Sequence, residues 1–168
     1  MRQKSIQIRE LTQDDSLEEL TSLINRAYAP VAAMGYRLAG TYQDVEQTRR
    51  RVSRGTCFIA VLDGVIVGTM SICPGFPNET CAYLARPNLA YRYQFAVAEE
   101  LQGLGIGFML RKQIEFFARD HGFTELGTDT AEGHTERLDS MTREGYVKVD
   151  RIQWPGEDFF SIVMVRQL

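Results

Sequence analysis

The chain is 168 residues long, enough for one domain and short for two, so a single domain over 1–168 is expected. Hydrophobic residues make up 44% and charged residues 24%, a globular mix that argues against disorder. The net charge of −3 disfavours a generic nucleic-acid binder, and no apolar run approaches the roughly 20 residues of a membrane helix.

The N-terminus lacks a signal-peptide apolar block, so a cytoplasmic chain with no membrane and no nucleic-acid partner is expected. Cys57, Cys73 and Cys81 are an odd count without metal spacing, which fits reduced thiols. The histidines are His121 and His134, and CxxC and HExxH are absent, so no metal is expected. There is no GxSxG nucleophile elbow.

Ser5 to Leu11 alternates and predicts a strand. Thr12 or Asp14 is expected to cap a helix with the stripe Leu17, Leu20, Ile24, Ala27 and Tyr28, ended by Pro30. Residues 31–40 read as loop, and Thr41 as the cap of a helix running to about Arg54. Two β-rich runs, Cys57 to Leu62 and Val65 to Cys73, flank Asp63-Gly64, a strong type I′ hairpin signal.

Leu89 to Val97 predicts a strand with Tyr91, Tyr93, Phe95 and Val97 on one face. A loop to Gly105 opens a helix that ends at Gly122. Phe123 to Thr128 reads as a strand, His134 to Glu144 as a helix stopped by Gly145, and Tyr146 to Gln153 and Phe159 to Arg166 as strands. The result is an α/β chain whose mixed sheet is covered by helices.

Chemistry concentrates in Gln94-Phe-Ala-Val-Ala-Glu-Glu-Leu-Gln-Gly-Leu-Gly-Ile-Gly. Gly103, Gly105 and Gly107 let the backbone approach a ligand. Free N–H groups and the positive end of the helix dipole suit a phosphate or pyrophosphate. A dinucleotide GxGxxG fails because Phe108 and Leu110 stand where the third glycine belongs, and a P-loop fails for want of GK[ST].

The run Gln102-Gly-Leu-Gly105-Ile-Gly107, five residues after Val97, resembles motif A (Q/R-x-x-G-x-G/A) of the GCN5-related N-acetyltransferases, the GNAT family. Element order matches from Ile6 to the C-terminus, and Glu144-Gly145-Tyr146-Val147 is similar to the family's helix-to-strand stop. The resemblance implies a GNAT-like, mostly antiparallel seven-stranded sheet, splayed at strands four and five, with about four helices. It implies an N-acetyltransferase moving an acetyl group from acetyl-CoA to a primary amine by direct attack in a ternary complex. The acceptor is a small-molecule amine or a peptide amine.

For cofactor binding, the resemblance points to the backbone of Phe95, Ala96 and Val97 for the pantetheine arm. It points to Gln102, Gly103, Leu104, Gly105, Ile106 and Gly107 for the pyrophosphate, with His134 where many members carry a CoA-contacting asparagine.

The chain departs from the family at the general acid. Many members carry tyrosine four residues before the Gly-aromatic stop, and here that position is Met141. A CoA-binding module without chemistry, or an acyltransferase for longer chains, are therefore the competing readings. Catalytic candidates are Asp129, expected just past the fifth strand, His134, and Tyr93, which with Tyr91 either lines an acceptor pocket or packs on helices. Glu79 is a further base candidate.

Glu99 and Glu100 stand where proline is frequent, and solvent-facing side chains are expected there. Arg49, Arg50, Arg51 and Arg54 read as cations complementing a helix C-terminus. Trp154 reads as a turn anchor or a cap on an active-site mouth. A homodimer through the final strands stays open.

Overall fold

A computed structural model of the chain describes residues 5–75 and 80–168. Glu79 therefore lies outside the described residues. The strands are β1 (Gln7–Glu10), β2 (Thr56–Leu62), β3 (Val65–Pro74), β4 (Leu89–Val97), β5 (Glu125–Ala131), β6 (Val147–Ile152) and β7 (Ser161–Gln167). The helices are α1 (Leu17–Ala27), α2 (Ala29–Ala33), α3 (Val45–Val52), α4 (Ile106–Asp120) and α5 (Thr135–Arg143). The sheet order is β1-β2-β3-β4-β5-β7-β6.

Contacts divide the chain into two compact units interleaved in sequence. One is Met1–Ile72 with Gln94–Phe116, the other Cys73–Tyr93 with Phe117–Leu168. In the first, β1, β2 and β3 form an antiparallel ladder. The turn between β2 and β3 has Asp63 at φ 52° and Gly64 at φ 82°, the double positive φ that a type I′ hairpin demands.

Leu20, Leu23 and Ile24 of α1 are buried, as are Ile106, Leu110 and Ile114 of α4. A Cβ on Gly68 of β3 would stand 3.0 Å from Ile106 and 3.1 Å from Leu110, so the absence of a side chain lets α4 lie close on the strand.

Several boundaries differ from the sequence reading. The cap of α1 is Ser16, whose hydroxyl accepts from Glu19 N–H at 3.1 Å. Thr12 and Asp15 are taken up in their own turn, where Asp15 accepts both Thr12 groups and two bonds from Arg9. Pro30 does not end a helix but stands in the first turn of α2, where its missing N–H costs nothing; this short segment raises the α-helices to five among the described residues. Asp44, not Thr41, caps α3 in a reciprocal capping box with Gln47. The Thr41 hydroxyl instead donates to Leu38 C=O and closes a 3₁₀ turn over Ala39–Thr41.

In the second unit, β5 pairs antiparallel with β7, and β7 with β6. The parallel ladder of β4 with β5 covers only Leu89–Tyr91 against Glu125–Gly127. Leu84, Leu89, Ile152, Val163 and Val165 form a core against which Tyr91 and Trp154 pack. Gly127 is buried among Leu84 and Leu89, where a Cβ would meet methyl carbons at 3.0 Å. Met141 is 2% exposed and belongs to this unit's buried apolar set. Its neighbours on the chain, Arg137 and Glu144, join a dense charge group: Arg92 and Arg137 both approach Glu144, at 3.2 and 3.6 Å, and Arg92 stacks over the Tyr146 ring. Among the described residues no helix is long and apolar enough to cross a membrane.

Candidate active site

The first unit holds the glycine loop. β4 ends at Val97, a 3₁₀ turn covers Glu99–Leu101, and α4 begins at Ile106. Glu99 and Glu100 are exposed, in line with the solvent-facing side chains expected there. Gly103 and Gly105 have φ of 80° and 84°, and a Cβ on either would meet nothing within 4 Å. Backbone conformation, not crowding, therefore demands glycine at both.

Gly107 is different. Its φ is ordinary, but a Cβ there would stand 3.0 Å from the Phe95 ring and 3.3 Å from the Arg111 guanidinium. The bare α-carbon lets the Phe95 ring lie against the first turn of α4. Ile106 is buried and roots that turn, while Leu104 is exposed at the loop tip. The first closed backbone bond here runs from Met109 N–H to Gly105 C=O at 3.0 Å. The amides ahead of it have no partner within the helix, the usual condition of a helix N-terminus. The Gln102 side chain turns back toward Val97 C=O at 3.5 Å.

Ala96 and Val97 are buried and Phe95 half-buried. Gln94, one residue earlier, has φ 57°, a left-handed residue in mid-strand. The single alternating face read across Tyr91, Tyr93, Phe95 and Val97 is therefore broken at Gln94, since such a residue re-aims the peptide that follows.

The second unit gathers the candidate acid–base groups. Asp129 lies inside β5, not past its end. The strand is longer than its apolar residues announce because β7 pairs with it through Ala131. Asp129 Oδ1 accepts from the Tyr91 hydroxyl, and Oδ2 accepts from Trp154 Nε1–H at 2.8 Å. Tyr91 and Tyr93 stack, with ring centroids 5.7 Å apart and planes 11° apart. Tyr93 is 8% exposed, so its ring supports Tyr91 and contributes little open surface.

The sequence reading missed Glu157. It sits in the β6–β7 turn, tied by its N–H to Trp154 C=O and by its C=O to the Gln153 amide. Its Oε2 is buried and, among the described residues, has no hydrogen-bond partner. Burial, then the nearby charges of Asp129 and Asp158, push its carboxyl up to about 7. The signal for it in the sequence is slight, a glutamate after Trp154-Pro-Gly.

His134 is half-buried at the start of α5, with Nδ1 3.4 Å from the Thr130 hydroxyl. Burial, then Arg137, lowers its imidazole below the ordinary value. His121 closes α4 by bonding Phe117 C=O and stacking on the Phe117 ring. Of the arginine cluster, Arg49 and Arg50 approach Glu46, whereas Arg51 Nε donates to Gln94 Oε1 at 2.9 Å.

These features have parallels in known proteins. A family model described as the acetyltransferase (GNAT) family matches residues 17–143. The S-(2-succino)cysteine N-acetyltransferase of Bacillus subtilis (strain 168) is 27% identical over 155 residues, covering 90% of each chain. The crystal structure of a ribosomal-protein-alanine N-acetyltransferase from Brucella melitensis superposes with a TM-score of 0.72 at 20% identity, over 96% of this chain and 99% of that one. A GNAT acetyltransferase from Elizabethkingia anophelis with acetyl-CoA bound gives 0.67 at 19% identity, over 97% and 98%. The family match spans the glycine turn of the first unit and the Asp129 strand of the second, and with the shared fold it makes this chain a member of the GNAT acetyltransferase family, an acyltransferase.

Proposed function

We propose that the chain transfers the acetyl group of acetyl-CoA to a primary amine by direct attack in a ternary complex. The observation that carries the donor half is the turn from Gln102 to Gly107, with two glycines at positive φ and open space where a side chain would stand. Amides there suit a pyrophosphate, and the backbone of Phe95 to Val97, which lies past the last β4–β5 pair at Tyr91, suits an extended amide-bearing arm. The neighbour with acetyl-CoA bound supports the same donor.

Glu157 is the proposed base, and Asp129 the group that orients the ammonium. An alkyl amine of pKa about 10 is only about one part in a thousand neutral at pH 7. A carboxylate that titrates near 7 takes up that proton at less cost than one at the ordinary 4.5, by about 3 kcal/mol. The neutral nitrogen then attacks the thioester carbonyl, the C–S bond breaks, the CoA thiolate leaves, and the nitrogen gives its surplus proton to water. With Met141 buried, that thiolate takes its proton from water. His134 is retained as a cofactor contact, and Tyr93 as the ring that backs Tyr91 beside Asp129.

The relative from Bacillus subtilis is named for an amino-acid amine. At 27% identity we carry over the amine and not the rest of that acceptor. A small-molecule amine is the proposed acceptor, with a peptide amine as the other arm of the test.

Calorimetric titration with acetyl-CoA, with NAD and ATP as controls and Gly105→Glu as the blocked variant, tests the donor. An amine and peptide panel read by thiol release tests the acceptor. Selective acetyl-CoA binding that Gly105→Glu abolishes, followed by thiol release with an amine, supports the reading. Binding of no acyl-CoA overturns it, and turnover only with longer acyl-CoAs replaces acetyl by a longer chain.

A further inference from the structure

The arginine of α3 that turns away from its own helix has a specific partner. Arg51 Nε donates to Gln94 Oε1 at 2.9 Å, across 43 residues. Gln43 Nε2 approaches the same oxygen at 3.4 Å and donates to the Thr48 hydroxyl at 2.8 Å. Thr48 is tied in turn to Thr21 of α1 at 2.7 Å. Gln43, Thr48 and Gln94 are all 3% exposed or less. This is a buried polar chain running from α1 through α3 to one residue of β4.

That residue is the left-handed Gln94. A non-glycine residue at positive φ costs about 1 kcal/mol or more and persists only where its surroundings hold it. Two donors on one side-chain oxygen do that here. They also fix the amide's orientation, because a flipped amide would set N–H against N–H at Arg51. The torsions of Gln94 set where the next amide, Phe95 N–H, points.

We infer that Arg51 is a positioning residue: through Gln94 it aims the Phe95 N–H at the carbonyl of the bound acyl thioester. The inference rests on the donor reading above. Arg51 touches no reacting atom. Its guanidinium holds a side chain, the side chain holds a strained backbone, and the backbone holds the donor. Preorganised donors are worth most when they need no rearrangement at the moment of reaction.

The test reads the carbonyl directly and needs no known acceptor. Acetyl-CoA labelled with ¹³C at the thioester carbonyl is bound to the wild-type chain and to Arg51→Met, Arg51→Lys and Gln94→Gly, and the infrared stretch is compared. Methionine keeps an apolar stem without a donor, and lysine restores one donor. Glycine deletes the side chain while tolerating the left-handed backbone. Calorimetry gives the acetyl-CoA Kd of each, and thermal unfolding checks the fold.

The wild-type chain is expected to lower the stretch on binding. Arg51→Met and Gln94→Gly lose half of that shift or more with Kd unchanged, and Arg51→Lys recovers part of it. With an acceptor in hand, the same variants lower kcat by about 10- to 100-fold with KM for acetyl-CoA unchanged. A full shift retained in folded Arg51→Met overturns the inference and leaves the donor reading standing. Wild-type protein that binds no acetyl-CoA removes both.

Discussion

Trp154 donates its indole N–H to Asp129 Oδ2 at 2.8 Å, so one turn residue and one strand residue, 25 positions apart, share a hydrogen bond to an ionisable oxygen. The Tyr91 hydroxyl holds the other oxygen. Trp154→Phe keeps most of the ring and removes the donor. A half-buried carboxylate oxygen then loses a bond worth about 1.5–3 kcal/mol at most. Urea unfolding of this variant is expected to show about 1–2 kcal/mol lost. The amine kcat/KM should fall with it, while KM for acetyl-CoA stays put. Wild-type stability and kinetics in the variant would separate Trp154 from the site.

Gly105→Ala tests the donor turn without adding charge. Its φ of 84° is strained for any residue with a Cβ, at about 1–2 kcal/mol, although no neighbour is in the way. The loop should relax to another conformation and lose its amide row. The expected readout is acetyl-CoA affinity down about tenfold or more with Tm nearly unchanged. Gly107→Ala should differ, because its Cβ meets the Phe95 ring at 3.0 Å and acts by crowding.

Gly40→Ala is a packing test in the first unit. The added carbon would lie 2.6 Å from two atoms of the Tyr28 ring. A ring face cannot yield by bending, so the ring or the 3₁₀ turn must move. The expected cost is about 1–3 kcal/mol by chemical unfolding. Tyr28→Ala combined with Gly40→Ala should show a coupling between the two sites, since the double variant has no clash left to relieve.

Local signals carried the legible part of this fold. Asp63-Gly64 announced its hairpin because a two-residue turn with both φ positive admits few residue pairs. The strand, glycine turn and helix from Leu89 to Asp120 were readable for the same reason, each step being dictated within a few neighbours. Ser16 was not, because Thr12 and Asp14 are cap residues of equal quality by type, and only the structure shows Thr12 bonded to an Asp15 that Arg9 holds. Asp129 was misplaced at a strand end because β7, far along the chain, extends β5. Gln94 gives no hint of a left-handed backbone, since the partners that hold it come from α3 and from Gln43. Glu157 acquires its character from Asp129, 28 positions earlier, and from a turn that buries it. Sequence shows what neighbours dictate, and these two groups are dictated from a distance.

Glu157 carries a pH prediction with a definite sign. Its folded carboxyl titrates at about 7, above the ordinary 4.5, because burial and the charges of Asp129 and Asp158 oppose ionisation. Between those values the folded state binds the proton and the unfolded state does not. Stability therefore falls as pH rises from about 4.5 through 7 and is flat above. With a partly exposed group the loss is about 1–2 kcal/mol once solvent screening is allowed for. Glu157→Gln should flatten that slope and leave the variant the more stable form at pH 8.

Activity runs the other way. If Glu157 is the base, kcat/KM for the amine rises through a limb near pH 7, and Glu157→Gln removes the limb with about 100-fold of the rate. His134→Gln should keep it, since burial moves that imidazole in the opposite direction, below its ordinary value. A limb that survives in Glu157→Gln and vanishes in His134→Gln would transfer the role to the histidine.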